Sequence, residues 1–210
     1  MRIFINANAE QEEEIKAKSY SKNVEIAFGR DLPQVSEYKN MDAFFIFDKK
    51  PTEINFKEFE EKPVFINSVV ETLAELQLPP NVSRVNGWPG FLQRKIWEVA
   101  SENKELSKKI FDALEWEIIF TKDEPGLVAA RVIAMIINEA FYAFKENVST
   151  KKEIDLAMKL GTNYPFGPFE WTEKIGIQNV FDLLKKLSEK EERCIPSFNP
   201  NDMEKNYTNC

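Results

Sequence analysis

The side chains able to do chemistry in this sequence are an unusual set, because among 210 residues there is no histidine. That absence excludes Ser-His-Asp and Cys-His nucleophile systems, His-ligated metals and imidazole general bases together. The two cysteines, Cys194 and Cys210, sit near the C-terminal end and make neither a zinc pattern nor a disulfide framework, so no metal site is expected. Glu12, Glu13 and Glu14 follow the first apolar stretch. At a helix start such carboxylates satisfy backbone amides and the positive dipole end, so the run reads as a solvated helix start and not as a catalytic cluster. Adjacent cations at Lys49-Lys50 and Arg94-Lys95 could meet a phosphate, but pairs of this kind are ordinarily surface.

Composition narrows the class further. Lys and Arg number 28 against 35 Asp and Glu, a net charge of −7, which argues against a nucleic-acid or anionic-membrane surface. With 43% hydrophobic residues, 17 of them Phe, the chain can bury a sizeable core. The longest apolar segment, residues 126–144, contains Arg131, Asn138 and Glu139, which fits a buried helix better than a membrane span. Met1-Arg2 leads into a short apolar stretch and then acids, unlike a signal peptide. A cytoplasmic protein is expected, for which the Asn-x-Ser/Thr matches at Asn81 and Asn206 carry no meaning.

The elements that must position any site change character along the chain. Residues 2–6, 24–28, 43–47, 64–67, 84–87 and 117–121 are short runs rich in Ile, Val or Phe, bounded by turn formers or charge, and read as strands. Helical stretches are expected at 10–18, 70–78 and 104–116, the last with Leu106, Ile110, Phe111 and Leu114 on one face. Strand–helix alternation of this kind predicts a parallel α/β sheet up to about residue 121. The rest reads as all-helical. Residues 127–145 are apolar nearly all round. Thr150 and Glu153 form a capping box, with Gly161 as the left-handed cap that ends the helix. A final helix presents Ile177, Val180, Phe181, Leu184 and Leu187 at spacings of three and four, and 192–210 reads as an extended tail.

This helical part, residues 122–191, resembles the C-terminal domain of the 3-hydroxyacyl-CoA dehydrogenases. The resemblance rests on Asp123-Glu-Pro-Gly-Leu-Val-Ala-Ala-Arg131, Asn138-Glu-Ala140, Glu153-Ile-Asp-Leu-Ala-Met-Lys-Leu-Gly161, Tyr164-Pro-Phe-Gly-Pro-Phe-Glu170 and Ile175-Gly176. Upstream, Lys95-Ile-Trp-Glu-Val99 resembles the family's Lys-Leu-Val-Glu-Val segment. The resemblance implies a Rossmann-like domain over 1–121, an all-helical domain that forms a homodimer, substrate held in the cleft between, and NAD-dependent oxidation of 3-hydroxyacyl-CoA in fatty-acid metabolism.

Position by position, the chain departs from that pattern. Where the family has the glycines of Gly-x-Gly-x-x-Gly, this chain has Asn6, Asn8 and Gln11. Asn tolerates left-handed turns, but a side chain at Asn8 takes the space of a diphosphate. Asp31 is a displaced candidate for the family's ribose-binding acid. Counting back from Glu98, which matches the family's orienting Glu, the catalytic His position is Asn86, and an amide has no accessible pKa near neutrality. The family's Ser falls at Val69 or Val70 and its Asn at Ala130, beside the retained Arg131. Residues 29–42 are too few for the family's helical arm over the acyl-CoA. The expected reading is a degenerate member without dehydrogenase activity, a pseudoenzyme with no NAD site, with Glu98 as its retained catalytic position and Asn86 as the vacated one. It would keep a binding or regulatory role in acyl-CoA metabolism, with an acyl-CoA-like ligand and no nucleic-acid or membrane partner. Two alternatives stand beside it: an active NAD-dependent enzyme with a rearranged site using Glu98 as base, and a structural dimerisation or interaction module. Trp88 and Trp97, which flank the centre, either line an apolar pocket or fill space left by lost polar groups, and filling is the expected reading.

Overall fold

Seven short strands, β1 (Arg2–Asn6), β2 (Glu25–Gly29), β3 (Ala43–Ile46), β4 (Val64–Asn67), β5 (Val82–Val85), β6 (Ile96–Ser101) and β7 (Glu117–Phe120), form one sheet in the order β2-β1-β3-β4-β5-β6-β7. The computed structural model describes residues 1–201, and the chain divides into two compact units, Met1–Leu127 and Val128–Cys210. The sheet fills the first unit, with α1 (Ala9–Lys16), α2 (Val35–Tyr38), α3 (Leu73–Leu76) and α4 (Lys104–Leu114).

Alternation along the strands sends successive side chains to two separate cores. Ile3, Ile5, Phe45, Phe65 and Val99 pack with Ile15 of α1 and Ile110, Phe111 and Leu114 of α4. Phe4, Phe44, Ile46, Val64 and Val82 pack on the other face with Tyr38, Phe59 and Leu73. Because both faces of β3 are covered, its Ala-Phe-Phe-Ile run is buried at every position, as a central parallel strand must be. The rings interlock: Phe45 stacks on Phe65 at 4.6 Å between centroids, and Phe111 meets Phe65 edge-on at 5.0 Å.

Three details differ from the sequence reading. The sheet is parallel except where β5 meets β6 antiparallel. That strand, absent from the sequence expectation, follows β5 through the 86–95 loop instead of a crossover helix, and a direct loop permits the antiparallel sense. β5 covers 82–85, so Asn86 and Gly87 lie just beyond it. The helix expected over 70–78 is one turn, α3: Thr72 caps its start reciprocally with Glu75, and Gln77 at φ 50° ends it.

One side chain ties this unit together without any signature in the sequence. Arg84, 0% exposed in β5, pairs with Asp123 at 2.6 Å and donates to the carbonyls of Ser68 (2.8 Å) and Glu124 (3.2 Å). Burial pulls its pKa below the usual arginine value, and the Asp123 carboxylate opposes that shift.

The second unit contains α5 (Ala129–Lys145), α6 (Lys151–Thr162), α7 (Pro168–Ile175) and α8 (Ile177–Ser188). Ile133, Ile137 and Phe141 of α5, Phe169, Trp171 and Ile175 of α7, and Val180, Leu184 and Leu187 of α8 are buried. The Thr150–Glu153 capping box is present, and its hydrogen bonds from Ser149 and Thr150 hold the Glu153 carboxyl below the usual glutamate range. Gly161 is not the cap. It lies inside α6 in open space, and the left-handed residue is Asn163 at φ 56°, which an asparagine adopts at low cost. Gly167 is required for space: a Cβ there would lie 2.3 Å from the Asp155 carboxylate oxygen, which accepts the Phe169 amide at 2.8 Å.

Residues 192–201, expected as extended tail, instead make a 3₁₀ turn at Glu192–Cys194 and then dock, with Cys194, Ser197 and Phe198 buried. Apolar residues at 194 and 198 supply the burial that a purely polar tail would lack. Cys210 and Asn206 lie outside the described residues. Among those described, no helix is long and apolar enough to cross a membrane.

Candidate functional site

In open α/β sheets ligands sit outside the carboxyl ends of the strands where strand order reverses. Here that place is between β1 and β3, and amide side chains bridge it. Asn6, the last residue of β1 and 0% exposed, donates through Nδ2 to the carbonyls of Gly29 (3.3 Å) and Arg30 (2.5 Å), while its Oδ1 accepts the Asp48 amide at 3.0 Å. The ends of β2 and β3 are thus fastened to β1 by one side chain. Asn8 is extended, at φ −74° and ψ 174°, so no left-handed turn forms there. Its Oδ1 accepts the Gln11 amide and the Gln11 Oε1 accepts the Asn8 amide, each at 3.0 Å. Gln11 Nε2 then donates to the Gly87 carbonyl at 2.8 Å.

Glu14 corrects the expectation that the acidic run is solvated. It is 9% exposed, and its carboxylate accepts the amides of Gly90 and Leu92, the latter at 3.1 Å. On the next strand end, Asn67 Oδ1 accepts the Gly87 amide at 3.1 Å, and a Cβ at Gly87 would lie 2.7 Å from the Asn67 Cβ. A dinucleotide needs free amides at the start of α1 and a close backbone approach for its diphosphate. The residues present do not fit that group: Gln11 N is taken by Asn8, and the crevice holds hydrogen-bonded amides in place of glycines. Asp31 is 94% exposed in its side chain and lies 3.5 Å from Lys49 Nζ.

Asn86 and Glu98 are brought together. With Phe91, Arg94, Ile96 and Trp97 they line an open depression that has room for about one water molecule. Asn86, 8% exposed, accepts the Trp88 amide at 3.3 Å, and its buried Nδ2 has no hydrogen-bond partner among the described residues. Trp97 donates its indole N–H to the Leu92 carbonyl at 3.1 Å and packs on Phe47, Phe111 and Trp116. Trp88 is buried, 4% exposed, and Trp97 both packs in the core and lines the depression. Val69 is 3% exposed, and its carbonyl accepts the Gly126 amide at 2.8 Å; Ala130, in the helical unit, is fully buried. In chemical terms the depression is lined by one carboxylate, one amide and one guanidinium, and of these Glu98 is the group suited to take a proton from a hydroxyl.

Lys18 was invisible in the sequence because its partners are remote. Its Nζ donates to the Arg94 carbonyl at 2.6 Å and lies over the rings of Trp97 (5.6 Å) and Trp116 (5.2 Å). Burial lowers its pKa from the ordinary lysine value. It holds the depression's loop from behind.

Residues 126–209 match the family described as 3-hydroxyacyl-CoA dehydrogenase, C-terminal domain. The chain is 45% identical over 76 residues to 3-hydroxyadipyl-CoA dehydrogenase of Escherichia coli, covering 35% of this chain and 16% of that protein. It is 30% identical over 128 residues to 3-hydroxybutyryl-CoA dehydrogenase of Clostridioides difficile, covering 57% of this chain and 45% of that one. The matched segments thus span less than half the length of these relatives. Among solved structures, (S)-3-hydroxybutyryl-CoA dehydrogenase from Ralstonia eutropha superposes with TM-score 0.70 at 15% identity, covering 98% of this chain and 93% of that one. At that identity the likeness speaks for the fold.

Proposed function

We propose that this chain, a 3-hydroxyacyl-CoA dehydrogenase-like protein by the match of its residues 126–209, is without dehydrogenase activity and serves acyl-CoA metabolism as a binding or regulatory protein. The observation that carries this reading is the crevice between β1 and β3, where Asn6 holds the ends of three strands and Asn8 and Gln11 satisfy the start of α1. Each of these bonds uses an atom or a space that a dinucleotide would need. A carboxylate at Glu98 without its imidazole is left as a hydrogen-bond acceptor.

Mixing the purified protein with acetoacetyl-CoA and NADH and following NADH absorbance tests the proposal. No turnover above background is expected. Turnover that disappears in Glu98→Ala would establish the rearranged-enzyme reading instead. A thermal shift with acetoacetyl-CoA alone separates the binding role from the structural one, because a ligand that prefers the folded state raises stability.

One observation favours a dimerisation role for the helical unit. Val132, Phe144, Val148, Leu156 and Leu160 are exposed, Leu160 at 79%, and apolar residues in such number on one unit suit a subunit interface. We propose a homodimer through this unit. Light scattering after gel filtration should give twice the monomer mass, and Leu156→Lys with Leu160→Lys should return it to the monomer value.

A further inference from the structure

Asn138 sits in the middle of α5 and is 2% exposed. Asparagine is a poor choice inside a helix because its amide competes for backbone hydrogen bonds, and a buried amide must find partners. Its side-chain partners among the described residues lie in one short segment. Nδ2 donates to the Ile195 carbonyl at 3.0 Å, and Oδ1 accepts the Ser197 amide at 2.7 Å. The Asn138 main-chain carbonyl accepts the Ser197 hydroxyl at 2.9 Å, and Lys145 Nζ donates to the Ser197 carbonyl. Three backbone groups of the segment, the Ile195 carbonyl and the Ser197 amide and carbonyl, are therefore held by side chains of α5.

Side chains add selectivity. Phe198, 5% exposed, lies 4.3 Å from Phe141 and 6.2 Å from Phe181 between ring centroids. Pro196 biases Ile195 toward extended backbone, so part of the ordering cost is met before docking. Just ahead, Glu191 pairs with Arg131 and Arg193, which fixes where the segment leaves the helices.

We propose that Asn138, Phe141, Lys145 and Phe181 form a peptide-docking groove for an extended Ile-Pro-Ser-Phe segment, filled by the chain's own residues 195–198 as a detachable strap. The groove recognises backbone through the Asn138 amide and one aromatic side chain through the Phe pair. Vacated, it leaves a buried amide facing apolar rings, so it calls for an occupant of the same chemistry. The strap is held by a few polar bonds and one ring, and opens without unfolding the helices beneath it.

The test uses full-length protein carrying Ser197→Pro and Phe198→Glu, which remove the donated amide and the anchoring ring, with a fluorescein-labelled peptide of residues 191–201 as probe. Saturable binding to the released variant is expected, at least tenfold weaker binding to the wild type, whose own strap competes, and none once Asn138→Leu is added. A folded variant, verified by circular dichroism, that binds no peptide would overturn the proposal, as would equal binding by all three proteins. Should the variant fail to fold, hydrogen exchange on the wild type decides. The Ser197 amide is expected to exchange well before that of Ile137, and equal protection of the two would overturn the strap.

Discussion

The two units of this chain keep their ancestry in different ways. The helical unit is similar in sequence: residues 126–209 match the C-terminal domain of the 3-hydroxyacyl-CoA dehydrogenases. The sheet unit keeps shape: a 15% identical dehydrogenase superposes over nearly the whole chain, yet the glycine, histidine and serine positions of the resemblance hold other residues. Turns and close contacts in the helical unit, such as Gly167 against Asp155, serve packing. In the sheet unit, Asn6, Asn8 and Gln11, which stand where the resemblance implies glycines, bond to the protein itself.

Substitutions sharpen that contrast, beginning with the largest effect. Arg84→Leu should cost the sheet unit about 3–5 kcal/mol, because it leaves the Asp123 carboxylate without its cation and the Ser68 and Glu124 carbonyls without their donor; urea denaturation measures it. A cost below 1 kcal/mol would mean the cluster contributes little. Next, Gly167→Ala in the helical unit should lose about 1–3 kcal/mol to overpacking against Asp155, whereas Gly161→Ala should gain about 0.5–1 kcal/mol, being helical with open space around it. Asn6→Ala should cost about 1–3 kcal/mol through the unpaired Asp48 amide and Arg30 carbonyl. If Asn6→Ala proves neutral, the amide bridge is not what holds the crevice, and the contrast between the units weakens.

The smallest effect is a pH dependence in the helical unit. Glu153, Glu170 and Glu191 have carboxyls held below the ordinary range by hydrogen bonds from Ser149, Lys159 and Arg193 respectively, each the largest cause. A lowered folded-state pKa gives stability that is present above the unfolded glutamate value of about 4.3 and is lost as pH falls through the folded value. Thermal melts from pH 6 downward should show this loss, and Glu170→Gln should flatten the slope.

Most of the architecture was legible because strands and helices announce themselves by period. The Ile- and Phe-rich runs at 2–6 and 64–67 became β1 and β4 with those bounds, and the Thr150 capping box opened α6 as read. β6 was missed because Ile-Trp-Glu-Val alternates only briefly. The positions of Asn86 and Glu98 could be placed only through the resemblance, and their meeting in one depression is a tertiary fact. Glu14, Lys18, Arg84 and Asn138 were illegible for a shared reason. Each is a polar residue whose partners lie tens of residues away, and no local period encodes such a pairing.

Calorimetric titration of the wild-type protein with NADH tests the central claim most directly, beside a variant with Asn6→Gly, Asn8→Gly and Gln11→Gly. The account predicts no saturable heat for the wild type up to millimolar NADH, because the crevice atoms that would meet the dinucleotide are bonded to one another. Saturable binding to the wild type in the micromolar range would contradict it.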